Sequence, residues 1–124
     1  MSTPISKADA LQERLVCFSA EVVRVAAKLP RSAEGIHISK QILRSGTAVS
    51  ANYAEARGAE SRSDFIHKLR IVLKELNETG VWLRLILKLC LLSRDKLVAI
   101  VAENEELSRI IGASIKTAGG FDRP

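Results

Sequence analysis

Residues 11–29 read LQERLVCFSAEVVRVAAKL, and the spacing of the large apolar residues in this stretch decides the fold class. These residues recur at alternating steps of four and three, which places them on one side of an α-helix. The charged residues lie off that side, and Pro30 ends the pattern. The stretch predicts a first amphipathic helix over about residues 8–29.

The second predicted helix follows a connector at residues 30–38. Ser39 is its predicted N-cap, because a serine hydroxyl can accept from the free backbone donors of the next turn. Gly58 is expected to end it. The middle contains Gly46, which costs about 1 kcal/mol relative to alanine inside a helix. Such a cost is tolerable if a neighbouring helix approaches closely there.

Two more helices complete the predicted chain. Ser61 and Asp64 have the spacing of a capping box, so a third helix begins there and continues to about Leu92. The fourth, from about Arg94 to Lys116, carries Asn104 at a core-type position. Asn104 either fixes the register of the helices or lies at the wet edge of the core.

The composition agrees with one helical domain. The 124 residues are 47% hydrophobic and only 4% aromatic, with few glycines and prolines, which favours long helices over sheets. Short connections predict an all-α, antiparallel up-down-up-down four-helix bundle at 8–118. Residues 1–7 and 119–124 are predicted to be flexible segments.

The chain shows no sign of export or membrane insertion. It lacks the basic and apolar run of a signal peptide, and its richest apolar stretch, 81–92, is too short to cross a bilayer. Cys17 and Cys90 are far apart and lack a C-x-x-C spacing. They are predicted to be reduced, buried thiols of a cytoplasmic protein.

We find no enzyme signature in the sequence. His37 and His67 have no second metal ligand at helical spacing, and the glycines occur singly, without a phosphate-binding loop. No strand-turn-helix nucleophile motif is present. The sequence therefore predicts a non-enzymatic protein without a cofactor or metal.

A stripe of positive charge runs along the third helix. Four cations fall within an arc of about 80° and span some 27 Å of that helix. They are Arg70, Lys74, Arg84 and Lys88. Together with Lys40 and Arg44 of the second helix, and with a net charge of +5, they predict phosphate contacts to RNA or DNA. The alternative is an ordinary solvated helix face.

The end of the third helix is apolar on almost all sides. A single bundle covers only one broad side of each helix, so this excess predicts self-association. The predicted interface between copies consists of Val81, Trp82, Leu85, Ile86 and Leu89.

Asn52 and Glu55 lie three residues apart on the second helix, within a segment of small residues. They could meet a partner or a ligand. The interpretation we favour is structural, with hydrogen bonds to a neighbouring helix.

These polar residues belong to a longer pattern. It comprises EGIHISKQILRS at 34–45, ANYAEARG at 51–58 and SDF at 63–65. The pattern resembles the four-helix bundle proteins encoded by intervening sequences of 23S rRNA genes, which are related to the accessory variability determinant of diversity-generating retroelements. The matching positions are Pro30, Glu34, Gln41, Arg44, Asn52, Ala54, Glu55, Gly58 and Phe65. Leu43, Ala56, Ala59 and Asp64 depart from it, and two of these departures remove basic residues.

The resemblance implies an assembly and a role. It implies a barrel-like homopentamer whose basic surface binds RNA or DNA and, in the retroelement relatives, a reverse transcriptase. Our first hypothesis is accordingly an oligomeric nucleic-acid-binding accessory protein. The second is a scaffold that docks a partner protein such as a reverse transcriptase, with the charge serving only solubility.

Overall fold

A computed structural model describes residues 5–119, which form four helices. They are α1 (Lys7–Lys28), α2 (Ala33–Arg57), α3 (Arg62–Lys88) and α4 (Arg94–Gly119). These described residues contain no strand. The prediction of an all-α four-helix bundle is confirmed. Apart from residues 5–7 and Gly119, the segments predicted to be flexible lie outside the described residues.

Serine side chains cap the N-termini of the first three helices. Ser6, Ser32 and Ser61 each accept a hydrogen bond from the backbone N–H three residues later, at 3.0, 3.2 and 3.1 Å respectively. The predicted cap at Ser61 is confirmed, and Gly58 ends α2 as predicted. The predicted start of α2 at Ser39 is wrong. That helix begins six residues earlier, and the Ser39 hydroxyl donates to the Ala26 carbonyl of α1 at 3.3 Å.

The third helix ends at Lys88, earlier than the predicted Leu92. Cys90 lies in the connection that follows α3, and its φ of 53° is in the left-handed region. The Cys90 N–H donates to the Leu87 carbonyl at 3.1 Å, and the Leu91 N–H donates to the Ile86 carbonyl at 3.0 Å. These two bonds are the Schellman motif that closes many helices, usually with glycine at the left-handed position.

Replacing Cys90 with glycine should therefore stabilise the protein by about 1 kcal/mol, because the left-handed conformation costs an L-residue about that much or more. The midpoint of urea unfolding measures the effect. Cys90→Ser, which retains the Cβ atom, is the control and should leave the midpoint unchanged. A glycine variant no more stable than the serine variant would contradict the assignment.

The core follows the predicted apolar stripes. In α1, Leu15, Phe18 and Val22 are buried, as are Leu69 and Leu76 of α3. Leu97, Leu107 and Ile111 of α4 complete the packing. Both predicted buried thiols are wrong, however, because Cys17 and Cys90 are exposed, free cysteines.

Gly46 brings α1 and α2 into close approach. A Cβ atom at this position would lie 2.4 Å from the Cγ1 atom of Val22. The Ser19 hydroxyl donates to the Gly46 carbonyl at 2.7 Å across the same contact. The expectation that a neighbouring helix approaches the small residues of α2 is confirmed.

Buried polar groups link the other consecutive helices. The hydroxyls of Ser45 in α2 and Thr79 in α3 are 2.8 Å apart. Asn104 is 6% exposed, and its amide donates to the Leu76 carbonyl of α3 at 3.0 Å. Asn104 is therefore a core residue that joins α4 to α3, and the wet-edge alternative is excluded.

Contacts between helix ends place the four helices relative to one another. Ser39, near the start of α2, bonds to Ala26, near the end of α1, whereas Arg57 at the end of α2 pairs with Asp9 at the start of α1 at 2.9 Å. His37 of α2 packs edge-on against Trp82 of α3, with ring centroids 5.9 Å apart. These contacts bring the start of α2 close to the end of α1 and to the last third of α3, and the end of α2 close to the start of α1.

The first and last helices also touch, through an ion pair. The Nε and Nη2 atoms of Arg14 in α1 donate to the two carboxylate oxygens of Glu103 in α4, each at 2.7 Å. This pairing lowers the pKa of Glu103 below its ordinary value. The salt bridge connects α1 to α4 and closes the order of neighbours around the bundle.

None of the four helices, as far as residues 5–119 show, combines the length and hydropathy needed to span a membrane.

Candidate nucleic-acid interface

The basic stripe of α3 lies on the outer side of the bundle. Arg70, Lys74, Arg84 and Lys88 are all exposed, whereas Leu69 and its apolar neighbours turn into the core. Within residues 5–119, none of the four forms an ion pair or a side-chain hydrogen bond. Their side chains are therefore open to an anion from outside, and Lys74 also acts at longer range on Glu78, whose pKa its charge helps to lower.

The two α2 cations of the predicted basic surface, Lys40 and Arg44, differ in their ion pairing. Lys40 is exposed and, within the described part of the chain, has no ion pair. Arg44 instead pairs with Glu75 at 3.4 Å and with Glu78, both on α3. The hydrogen bond from Arg44 is the main cause that lowers the pKa of Glu78, and a bond from Trp82 adds to it. Arg44 is thus neutralised, contrary to its predicted place in the free basic surface.

The residues of the predicted interface between copies divide into two groups. Val81, Leu85 and Leu89 are 50%, 36% and 51% exposed, which leaves a row of apolar side chains along the end of α3. Ile86 is fully buried within the protomer, so its predicted interface role is wrong. Trp82 is partly buried, and its indole N–H donates to Glu78 at 3.1 Å.

The exposed apolar row and the basic stripe share one surface. At about 100° per residue, Val81 lies within the arc of the four cations, and Leu85 is just beside it. We call the surface formed by Arg70, Lys74, Arg84, Lys88 and the three exposed apolar residues the α3 outer face. The sequence suggested two separate sites, and the structure joins them.

The polar motif of α2 is mostly structural. Glu55 accepts from Lys68 of α3 at 3.0 Å, which confirms the expected bond to a neighbouring helix. Asn52 instead donates to the Ala48 carbonyl of its own helix at 2.8 Å. Glu34 lies in the first turn of α2, where a hydrogen bond from Ser32 lowers its pKa. Gln41 is partly buried. These four residues do not converge on a ligand site.

Sequence reasoning missed several cations at one end of the bundle. Lys28 and Arg31 flank the connection between α1 and α2, and Arg94 and Lys96 begin α4. All four are exposed, and Arg94 follows the end of α3, where Arg84 and Lys88 lie. The signal that could have found them is the concentration of Lys and Arg around both predicted connectors.

Comparison with known proteins gives two matches. The model of the family described as 23S rRNA-intervening sequence protein matches residues 10–113. A crystal structure of a protein of unknown function from the S23 ribosomal protein family of Bacteroides thetaiotaomicron is 36% identical. That match covers 90% of this chain and 99% of the other, with a TM-score of 0.82. Among curated proteins, none matches significantly.

Proposed function

The chain belongs to the family of 23S rRNA-intervening sequence proteins, and from this premise we propose that it is a homo-oligomeric accessory protein that binds RNA or DNA through phosphate contacts. The proposed role is one of binding and not of catalysis. The observation that carries it is the set of four exposed, unpaired cations on the α3 outer face. Repeated phosphates are the natural counter-ions of such a row.

The aromatic residues argue for contact with the phosphate backbone and not with bases. Tyr53 is 5% exposed and Phe18 is 2% exposed, and burial raises the pKa of Tyr53. Trp82 is held between His37 and Glu78. These rings are engaged in packing, so base stacking is not part of the proposal. Binding is accordingly expected to depend weakly on nucleotide sequence.

Self-association of the chain is supported by the exposed apolar row. By helix geometry, Leu85 and Leu89 lie at the margin of the α3 outer face away from Arg84, so a second copy covers them and leaves the four cations open. Burial of their apolar area is favourable. The proposed assembly is a ring of antiparallel up-down-up-down bundles, five in number by the family resemblance. The helix-end contacts support the antiparallel arrangement. Several weak phosphate sites per ring would then add by avidity.

The second candidate function is a scaffold for a partner protein such as a reverse transcriptase. The same apolar row favours it, because Val81 lies among the cations and a protein could cover both kinds of side chain. The exposed free thiols Cys17 and Cys90 support a cytoplasmic setting for either function, because thiols stay reduced there.

Replacing Arg84 and Lys88 with glutamate should abolish binding to a short RNA duplex, because the change reverses two phosphate contacts. Fluorescence anisotropy at low and at about 0.15 M salt measures the binding, which should weaken steeply as salt rises. Lys7→Glu with Lys116→Glu is the matched control, since both residues are exposed cations at the other end of the bundle. The control should bind more tightly than the α3 variant.

Light scattering on the same samples separates the two functions. A ring whose mass increases with RNA supports the accessory function. A ring that ignores RNA at both salt concentrations favours the scaffold, and a monomer contradicts the proposed assembly.

A further inference from the structure

The positive charge of the chain is concentrated at one end of the bundle. Residues 24–44 and 81–99, which we call the basic end, contain nine Lys and Arg but only two acidic residues, Glu34 and Asp95. The rest of the sequence contains ten Lys and Arg and twelve acidic residues. Three acidic residues that pair with cations of the basic end, Glu21, Glu75 and Glu78, lie outside these segments. With them counted, nine cations face five acidic residues at this end and ten face nine elsewhere, so most of the net charge of +5 arises from this end.

Tertiary contacts bring the two segments of the basic end together. His37 packs against Trp82 at 5.9 Å, which joins the start of α2 to the last third of α3. Val25 of α1 and Lys96 of α4 line one cavity of about 240 Å³. The connections at 29–32 and at 89–93 accordingly both lie at this end.

Most of the cations at the basic end are without a partner. Arg24 pairs with Glu21, and Arg44 pairs with Glu75 and Glu78. The other seven are exposed and form no ion pair or side-chain hydrogen bond within residues 5–119. They are Lys28, Arg31, Lys40, Arg84, Lys88, Arg94 and Lys96.

At the opposite end the balance of charge is different. Arg57 pairs with Asp9 at 2.9 Å, and Arg109 pairs with Glu106 at 3.0 Å. Helix dipoles do not explain the contrast, because in the antiparallel bundle proposed above two helices begin and two end at each end. The side chains alone make the asymmetry.

We propose that the basic end is the site where a phosphodiester polymer docks, and that Arg84 and Lys88 of the α3 outer face contribute as part of this end. The inference rests on the proposed function and names its site. Seven like charges close together repel one another, and a polyanion relieves that repulsion while releasing its own counter-ions. The remote half of the stripe, Arg70 and Lys74, lies about 15–21 Å along α3 from Arg84 by helix geometry, at about 1.5 Å per residue, and contributes less.

Three double variants with equal loss of charge test the site. Arg31→Gln with Lys40→Gln changes the basic end and leaves α3 untouched. Arg70→Gln with Lys74→Gln changes the remote half of the stripe, and Lys7→Gln with Lys116→Gln changes the opposite end. All six side chains are exposed, and circular dichroism checks that each variant folds like the parent.

The first variant should bind a short RNA duplex at least about tenfold more weakly than the parent, with the slope of log K against log salt reduced by about two. The Lys7 and Lys116 variant should change affinity less than about threefold, and the Arg70 and Lys74 variant should lose less affinity than the Arg31 and Lys40 variant, because its cations lie farther from the basic end. If the Arg70 and Lys74 variant weakens binding and the Arg31 and Lys40 variant does not, the basic end is wrong while the proposed function stands. If the parent does not bind the duplex, the proposed function itself fails.

A second measurement uses the natural thiols and leaves every cation in place. Cys90 lies in the connection at the basic end, whereas Cys17 lies in the middle of α1. A fluorophore on Cys90 in a Cys17→Ser background should respond to the RNA duplex more strongly than one on Cys17 in a Cys90→Ser background, because Cys17 lines the same cavity as Lys96 but lies outside the connection. Equal responses, or a response at Cys17 alone, would overturn the site. Binding to phosphatidylglycerol vesicles without binding to the duplex would overturn it in favour of a membrane surface.

Discussion

Replacing Gly46 with alanine is expected to destabilise the bundle by about 1–3 kcal/mol, in the range found for overpacked cores. The usual effect of this change inside a helix is the opposite, a gain of about 1 kcal/mol. The added Cβ would lie 2.4 Å from Cγ1 and 2.9 Å from Cβ of Val22. Val22 is fully buried, and its branched side chain has few rotamers to move into.

Urea unfolding of four variants tests this expectation, namely Gly46→Ala, Gly112→Ala, Val22→Ala and the double variant Val22→Ala with Gly46→Ala. Gly112→Ala is the matched control, because a Cβ atom there meets nothing within 4 Å, and it should stabilise the protein by about 0.5–1 kcal/mol. In a Val22→Ala background the penalty of Gly46→Ala should shrink, since the two contacting methyl groups are gone. Equal effects at Gly46 and Gly112 would show that α1 and α2 are not in close approach.

Replacing Asn104 with aspartate should cost about 3–5 kcal/mol at neutral pH, because it leaves an uncompensated charge in the core. The Asn104 amide donates to the Leu76 carbonyl at 3.0 Å, and a carboxylate would meet that oxygen with like partial charge. On the other side, the amide oxygen occupies space next to Gly80, where a Cβ would lie 2.8 Å from it. The site therefore has no room for the charge to move away.

The effect of Asn104→Asp should depend on pH in a defined direction. Burial raises the pKa of such a carboxyl above its unfolded value of about 3.9, so folding favours the protonated form. The loss of stability relative to the parent is small below that value and grows as pH rises towards the folded pKa. Unfolding at about pH 3 and 7 measures it. Asn77→Asp, at an exposed position of α3, should change stability by less than about 0.5 kcal/mol at both values.

The helices were predictable because their cause is local. The apolar stripe from Leu15 to Val25 and the caps at Ser61 and Gly58 can be recognised without knowledge of the rest of the chain. The tight contact at Gly46 was predictable for the same reason, because a costly residue inside a helix implies a compensating neighbour. Periodicity and capping chemistry thus account for four helices and most of the core.

The errors lie where tertiary contacts override local preference. Residues 33–38 contain a glycine and β-branched residues that favour helix weakly, yet α2 begins at Ala33. Gly35 is needed there because a Cβ would lie 2.0 Å from the Pro30 carbonyl oxygen. The apolar run that ends with Leu91 and Leu92 continues past α3 because both side chains pack on the core from the connection.

The candidate site was predictable in part. The exposed stripe on α3 follows from helix geometry alone, because its four cations lie opposite the buried residues of the same helix. The neutralisation of Arg44 could not be predicted, since it depends on the register between α2 and α3 that sets Arg44 beside Glu75 and Glu78. The basic end was missed because its residues are distant in sequence and meet only in the folded bundle.

The uneven charge of the bundle also affects the encounter with a polyanion before any contact forms. A molecule whose net positive charge lies mostly at one end has an electric dipole along its long axis. The field of a nucleic acid exerts a torque on this dipole and turns the positive end towards the nucleic acid. The fraction of collisions that are correctly oriented rises as a result. Added salt shortens the range of the torque to the Debye length, about 10 Å at 0.1 M, and the association rate constant should fall with it.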